Sequence, residues 1–279
     1  MMDYKAMVIM DLDGTILPRK GKIDERDFEI LNMLKREKIC RVVATGRSVF
    51  SFNRALGNGF PLDYLIFSSG AGILNWKTKE LIYSQGLKSD ETQAIAKKLW
   101  LEKLSFAVHK PIPDNHKYLY ADLNNIMPDF HYRNELYSEF AKPVENPEAE
   151  LGEACQFLII SKKDTGIHDK VSGMFPGYHI VRSTSPLDGE SVWTEIFPSC
   201  VSKRTGSSFL ISKLDIPLSN VMALGNDYND ITLLDWAENS FIVYNSPDEL
   251  CEKYEVVGDD ENTGLCEAIY RFNERMDIW

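Results

Sequence analysis

Met7-Val8-Ile9-Met10-Asp11-Leu12-Asp13-Gly14-Thr15 is the stretch on which the fold turns. Four consecutive apolar residues predict a buried strand, and two carboxylates and a glycine close it. Residues two apart in a strand point to the same side, and the turn begun at Gly14 can re-aim Asp13. Ligands of open parallel sheets gather at the carboxyl ends of strands, which is where this run delivers both carboxylates. An aspartate of ordinary pKa, about 3.9, is ionised at neutral pH and can attack phosphorus without a helper base. One carboxylate can then attack while the other handles protons, and repulsion from a phosphate dianion calls for a hard cation such as Mg²⁺. A solvated turn remains an alternative for the pentapeptide taken alone. A calcium loop does not, because its twelfth position would be Lys22 and a strand leads in where a helix should.

Outward from this run, strand and helix patterns alternate: strands over 6–10, 39–44 and 64–67, helices over 24–38 and 48–56. Asp24 is placed to cap the first helix, with Phe28, Leu31 and Leu34 as its core stripe. The alternation returns at the other end, with helices over 202–214, 231–237 and 263–275 and strands over 221–224 and 241–244. Both ends therefore read as halves of one α/β domain, a Rossmann-like doubly wound parallel sheet built from 1–83 and 198–279. The middle, 84–197, reads as an inserted α+β cap. Its strands fall over 105–108, 118–121, 157–160, 179–181 and 192–196, and its helices over 90–103, 129–140 and 164–175. The stretch 142–152, with Pro143 and Pro147 among acidic residues, reads as a loop within it.

Hydrophobic residues make up 44% of the 279 and charged ones 26%, the balance of a globular protein and not of a disordered one. No apolar run approaches the roughly 18 to 20 residues that span a bilayer, and the chain opens directly into a strand pattern, so a cytoplasmic protein is expected. The five cysteines are scattered without Cys-x-x-Cys spacing and read as buried thiols. A net charge of −11 with no basic, aromatic-interleaved stripe argues against nucleic acid. It does not exclude a small phosphorylated substrate, because a bound cation and a few local bases can make a site positive within an acidic protein.

Three further clusters share the placement of the first. Val42-Val43-Ala44-Thr45-Gly46-Arg47 is a strand running into a helix start, where backbone N–H groups and Thr45 can cradle phosphate. On its own it could equally be a turn capped by Ser48. Lys203 opens a helix, where the macrodipole disfavours a cation; nearby phosphate and carboxylates would account for it, and a solvated lysine is the alternative. Gly225-Asn226-Asp227-Tyr228-Asn229-Asp230 puts four oxygen-bearing side chains after a strand, which suits a hard metal or an ordinary turn. Four such coincidences at strand ends favour one phosphate and metal site over four unrelated turns.

On these four motifs the chain resembles the haloacid dehalogenase (HAD) superfamily, and within it the Cof-type, subfamily IIB, phosphatases with a large C2-type cap. Ser69-Gly70-Ala71, Asn245-Ser246-Pro247 and Thr263-Gly264 add to the resemblance. It implies a Mg²⁺-dependent phosphomonoester hydrolase acting on a small phosphorylated metabolite of the sugar phosphate kind. Asp11 would be the nucleophile and Asp13 the general acid and base, with its backbone carbonyl on the metal. Thr45 and Lys203 would hold the phosphoryl group, Thr15, Gly46, Arg47 and Asn229 would line the phosphate and substrate site, and Asp230 would orient Lys203. The metal would be held by Asp11, Asp13 and either Asn226 or Asp227. Two departures stand out: Ser69 where the branch has Asn, and Asn226 where it has Asp, a ligand without the charge. A phosphotransferase or mutase of the same superfamily, and a non-catalytic phospholigand-binding regulator, are the competing readings. A monomer or small homo-oligomer without membrane attachment is expected. The cap residues His109, His116, Tyr118, Tyr120 and Trp193 point to no particular substrate.

Overall fold

The computed structural model describes residues 4–18, 22–124, 127–258 and 264–278. In chain order the first elements are β1 (Ala6–Met10), α1 (Glu25–Arg36), β2 (Ile39–Ala44), α2 (Val49–Leu56), β3 (Tyr64–Phe67), β4 (Gly72–Asn75) and β5 (Leu81–Ser84). The middle carries α3 (Ser89–Leu101), β6 (Phe106–His109), β7 (Tyr118–Ala121), α4 (Pro128–Leu136), β8 (Ala141–Pro143), β9 (Phe157–Ser161), α5 (Ile167–Met174), β10 (Tyr178–Thr184) and β11 (Val192–Pro198). The chain closes with α6 (Lys203–Leu214), β12 (Val221–Gly225), α7 (Ile231–Leu234), β13 (Asn239–Val243), α8 (Asp248–Lys253), β14 (Glu255–Val257) and α9 (Gly264–Met276). Thr263, expected to open the last helix, lies outside the described residues.

The chain divides into two compact units, one of Met1–Arg47, Phe52–Tyr83 and Ser202–Trp279, the other of Ser48–Ser51 and Ser84–Val201. The first holds an eight-stranded sheet in the order β14-β13-β12-β1-β2-β3-β4-β5. Its strands from β14 to β3 pair in parallel, and β3 turns back antiparallel into β4. This is the doubly wound α/β sheet expected from the alternation. β1 is buried along its whole length, as a central parallel strand with helices on both faces must be. Met7, Ile9, Val42, Ile66, Ala223 and Ile242 fill its core; burying a side chain the size of Val or Ile contributes about 1.5–3 kcal/mol. Met10 stands opposite both Val43 and Leu224, so the chain leaves β1, β2 and β12 at one edge of the sheet.

Arg41 is a buried cation in the middle of β2. It is tolerated because Asp63 takes it in a two-pronged pair, Nε to Oδ2 at 2.9 Å and Nη2 to Oδ1 at 2.8 Å. Helix α1 is capped by Asp24, whose side chain accepts from the Arg26 N–H at 2.8 Å. Its core stripe differs from the expected one: Leu31 and Leu34 are buried together with Ile30 and Asp27, whereas Phe28 is 37% exposed and meets Phe60 edge to face. Three-residue spacing drifts off a face that turns every 3.6 residues.

The second unit holds a six-stranded sheet in the order β10-β11-β9-β6-β7-β8, antiparallel except for the β7–β8 pair. The expected 129–140 helix stops at Leu136, and β8, which begins at Ala141, takes the first two residues of the stretch expected to be loop. Burial pushes the His109 imidazole down to about 3, so the neutral ring packs here; its Nδ1 lies 2.7 Å from the Asn115 carbonyl and its Nε2 3.0 Å from Arg133 Nη2. The cysteines are only partly as expected: Cys40 and Cys155 are buried, but Cys200 is exposed and Cys251 and Cys266 are half-buried. Among the described residues no helix is long and apolar enough to cross a membrane.

Candidate active site

The end of β1 sets the first carboxylate. The Asp11 N–H continues the pairing with β12 by donating to the Leu224 carbonyl at 2.9 Å, so the residue is fixed in the sheet while its side chain stands at the edge. Asp11 is 3% exposed. Thr15 Oγ1 donates to Asp11 Oδ2 at 3.1 Å, and Lys203 Nζ to Asp11 Oδ1 at 2.5 Å. Between them, Gly14 has φ +78°, and a Cβ there would stand 2.3 Å from the Asn226 amide nitrogen. Glycine takes this positive φ without strain and leaves the Asn226 amide in place.

The β12 loop sets the counterpart. Lys203, 1% exposed, opens α6 behind an N-cap from Ser202 and runs between two carboxylates, reaching Asp230 Oδ1 at 2.5 Å as well. The other Asp230 oxygen accepts the backbone N–H groups of Asn226 and Asp227 at 2.9 and 3.2 Å. One side chain with no exposure thereby holds both the lysine and the loop. Asp227 spends one oxygen on the N–H of Tyr228, 2.8 Å away, capping its own turn, while the Asn226 amide faces the Gly14 loop. Asn229 Oδ1 is buried without a hydrogen-bond partner.

The β2 loop supplies the third side. Thr45 is buried, and its hydroxyl accepts the Arg47 N–H at 3.1 Å, which leaves its proton to be donated. Arg47 reaches across to Asp13 in a two-pronged pair, Nε to Oδ2 at 2.8 Å and Nη2 to Oδ1 at 2.6 Å. The sequence motifs assign these two side chains to different tasks and give no sign that they meet. Nothing local could, since 34 residues separate them.

Charge decides what the arrangement lacks. Burial and the Asp230 carboxylate push Asp11 up to about 7 against the pull of Lys203. Burial also pulls the Lys203 ammonium down, but Asp11 and Asp230 together outweigh it and hold it above the ordinary lysine value. Two buried carboxylates thus share one ammonium, and Asp13 already has Arg47 as its partner.

A family model of haloacid dehalogenase-like hydrolases matches residues 8–269. The chain belongs to that family. Among curated relatives of this HAD-like hydrolase is the 5-amino-6-(5-phospho-D-ribitylamino)uracil phosphatase of Bacillus subtilis strain 168, 24% identical over 284 residues, covering 91% of this chain and 94% of that one. Among solved structures, a HAD-superfamily phosphatase from Bacteroides thetaiotaomicron superposes with a TM-score of 0.78 at 20% identity, covering 97% and 96% of the two chains. A HAD subclass IIB sugar phosphatase superposes at 0.77 and 18% identity, covering 99% and 100%. These likenesses establish the HAD fold, and the chain is a hydrolase among relatives that act as phosphatases.

A divalent cation fits the donor set of this HAD-like site on two observations: two buried carboxylates that share the single Lys203 ammonium, and an unpartnered amide oxygen on Asn229 in the same loop as Asn226. Among the described residues no three His, Cys, Asp or Glu side chains form a metal-holding group by themselves. An ion here would draw on amide and backbone oxygens besides Asp11.

Proposed function

We propose that this chain is a Mg²⁺-dependent phosphomonoester hydrolase that forms an aspartyl-phosphate on Asp11 and acts on a small phosphorylated metabolite of the sugar phosphate kind. The observation that carries the reading is Lys203, buried at 2.5 Å from both Asp11 and Asp230 at the mouth of a parallel sheet. That pairing orients a carboxylate and keeps a fixed positive charge beside it, which a nucleophile facing a phosphate dianion requires. Thr15 holds the second Asp11 oxygen, so the carboxylate is fixed from both ends.

In the first half-reaction an Asp11 oxygen bonds to phosphorus as the ester P–O bond breaks, and the departing oxygen takes a proton from Asp13. In the second, Asp13 takes a proton from water, whose oxygen bonds to phosphorus as the bond to Asp11 breaks. Asp13 must leave Arg47 to do either, because both its oxygens are engaged by the guanidinium. Thr45 and Lys203 donate to the equatorial phosphoryl oxygens as charge builds on them. Asp11, the Asp13 carbonyl and Asn226 would hold Mg²⁺, with Asp227 kept on its own turn. The bound cation supplies charge that offsets the repulsion between carboxylate and phosphate. The inserted stretch, Ser84–Val201, carries selection of the leaving group. The sugar phosphate class is supported by the HAD subclass IIB sugar phosphatase and by the relative that acts on a phosphorylated ribityl compound.

The test is a screen of purified protein over a broad panel of phosphomonoesters with and without Mg²⁺. Release of phosphate that needs a hard cation and is strongest for sugar phosphates is expected. Turnover undiminished by thorough chelation, or none on any ester, contradicts the proposal.

A further inference from the structure

Between β3 and β4 the chain passes through three successive residues of positive φ: Ser68 at 48°, Ser69 at 55° and Gly70 at 104°. The last is free for glycine, but each serine costs of order 1–3 kcal/mol, a strain that persists only where surroundings over-determine it. They do so here from two sides. The Ser68 and Ser69 N–H groups donate to the carbonyls of Arg47 and Thr45 at 2.9 and 3.0 Å, which ties the turn to the β2 loop. On the other side Gly70 lies so close to the residue before Lys203 that a Cβ would stand 2.1 Å from the Ser202 carbonyl oxygen. The turn is wedged between the two loops that present Thr45 and Lys203.

Ser69 is 2% exposed and its hydroxyl has no hydrogen-bond partner. It faces Gly46, 3.6 Å from the point where a Cβ on that glycine would stand. Its burial is no obstacle to substrate contact, since Asp11 is buried to a similar degree. An unpaired buried hydroxyl carries a desolvation penalty. The turn itself does not need a hydroxyl, because Gly or Asn takes positive φ at less cost.

We infer that Ser69 is a further phosphoryl-binding residue, whose hydroxyl donates to an oxygen of the phosphate held at Thr45 and Gly46. The inference rests on the phosphoryl-transfer reading of this site. It adds a donor from the turn after β3, which lies between the loops of Thr45 and Lys203, so that three loops and not two converge on the phosphoryl group.

Binding of inorganic phosphate in the presence of Mg²⁺, measured by calorimetry on the full chain, tests it without requiring turnover. Ser69→Ala and Ser69→Gly should each bind phosphate about tenfold or more weakly than the parent, the size expected for a lost hydrogen bond to a charged group. Ser69→Asn, which tolerates the same backbone and keeps a donor, should retain most of the affinity. Ser69→Gly relieves the positive φ and should melt no lower than the parent, so weakened binding in that variant cannot be ascribed to unfolding. Phosphate binding by both Ala and Gly variants equal to that of the parent overturns the inference alone. No phosphate binding by the parent overturns the phosphoryl reading, and this inference with it.

Discussion

Replacing the Asp11 carboxylate by an amide should strengthen the fold. Asp11 is buried, and burial with the Asp230 carboxylate lifts its pKa from 3.8 to about 7. A carboxyl that titrates higher folded than unfolded holds its proton more tightly in the native state. Stability therefore falls as the pH rises from the unfolded value to the folded one, and the penalty is complete above about pH 7. Three pKa units at about 1.4 kcal/mol each bound the effect at about 4 kcal/mol. Asp11→Asn keeps the shape and removes the charge. In chelator at about pH 8 the variant should be more stable by about 2–4 kcal/mol, a midpoint raised by about 4–12 °C, and near pH 4 the two proteins should melt together. Adding Mg²⁺ should narrow the gap by stabilising the parent more than the variant. Thermal melts across pH with and without chelator measure all of this. An Asn variant that melts at or below the parent at about pH 8 refutes the electrostatic reasoning.

Asp13→Asn should slow turnover most for poor leaving groups, because an activated aryloxide needs less protonation; equal losses across a leaving-group series would remove Asp13 from the acid role. Asn226→Asp should lower the Mg²⁺ concentration for half-maximal activity, and Asp227→Ala should leave it nearly unchanged; a Mg²⁺ titration showing the reverse moves the ligand to Asp227. Asp63→Ala leaves the buried Arg41 guanidinium without its carboxylate and should cost about 3–5 kcal/mol in urea denaturation.

The sequence made the sheet legible wherever a strand was buried along its length. β1, β3 and β12 are apolar runs ended by polar residues, β2 is one broken by Arg41, and that pattern gives both the parallel sheet and the edge at which its loops gather. β5, β8 and β14 went unread because short edge strands borrow their hydrogen bonds from a neighbour and carry no pattern of their own, β5 having no buried residue at all; β4, which lies between β3 and β5, is only four residues long and opens on a glycine. Within the site, the residue types at each strand end were readable, but their pairing was not. Asp13 with Arg47, and Asp230 with Lys203, depend on how loops distant in sequence fold onto one another. Ser69 was visible only as a departure from a family pattern. Its strain and its unpartnered hydroxyl are properties of backbone dihedrals and burial, which composition does not encode.

The central claim is that phosphorus is transferred to Asp11 before water takes it. With an activated aryl phosphate, Asp13→Asn should still form the phosphoenzyme, since the leaving group needs little help, but should hydrolyse it slowly for want of a base. Rapid mixing of that variant with a radiolabelled aryl phosphate, acid quench and peptide mapping should give a burst of about one aryloxide per enzyme with label on the peptide containing Asp11. Phosphate released without a burst, and no label on that peptide above the level found when Asp11 is also changed to Asn, would contradict the account.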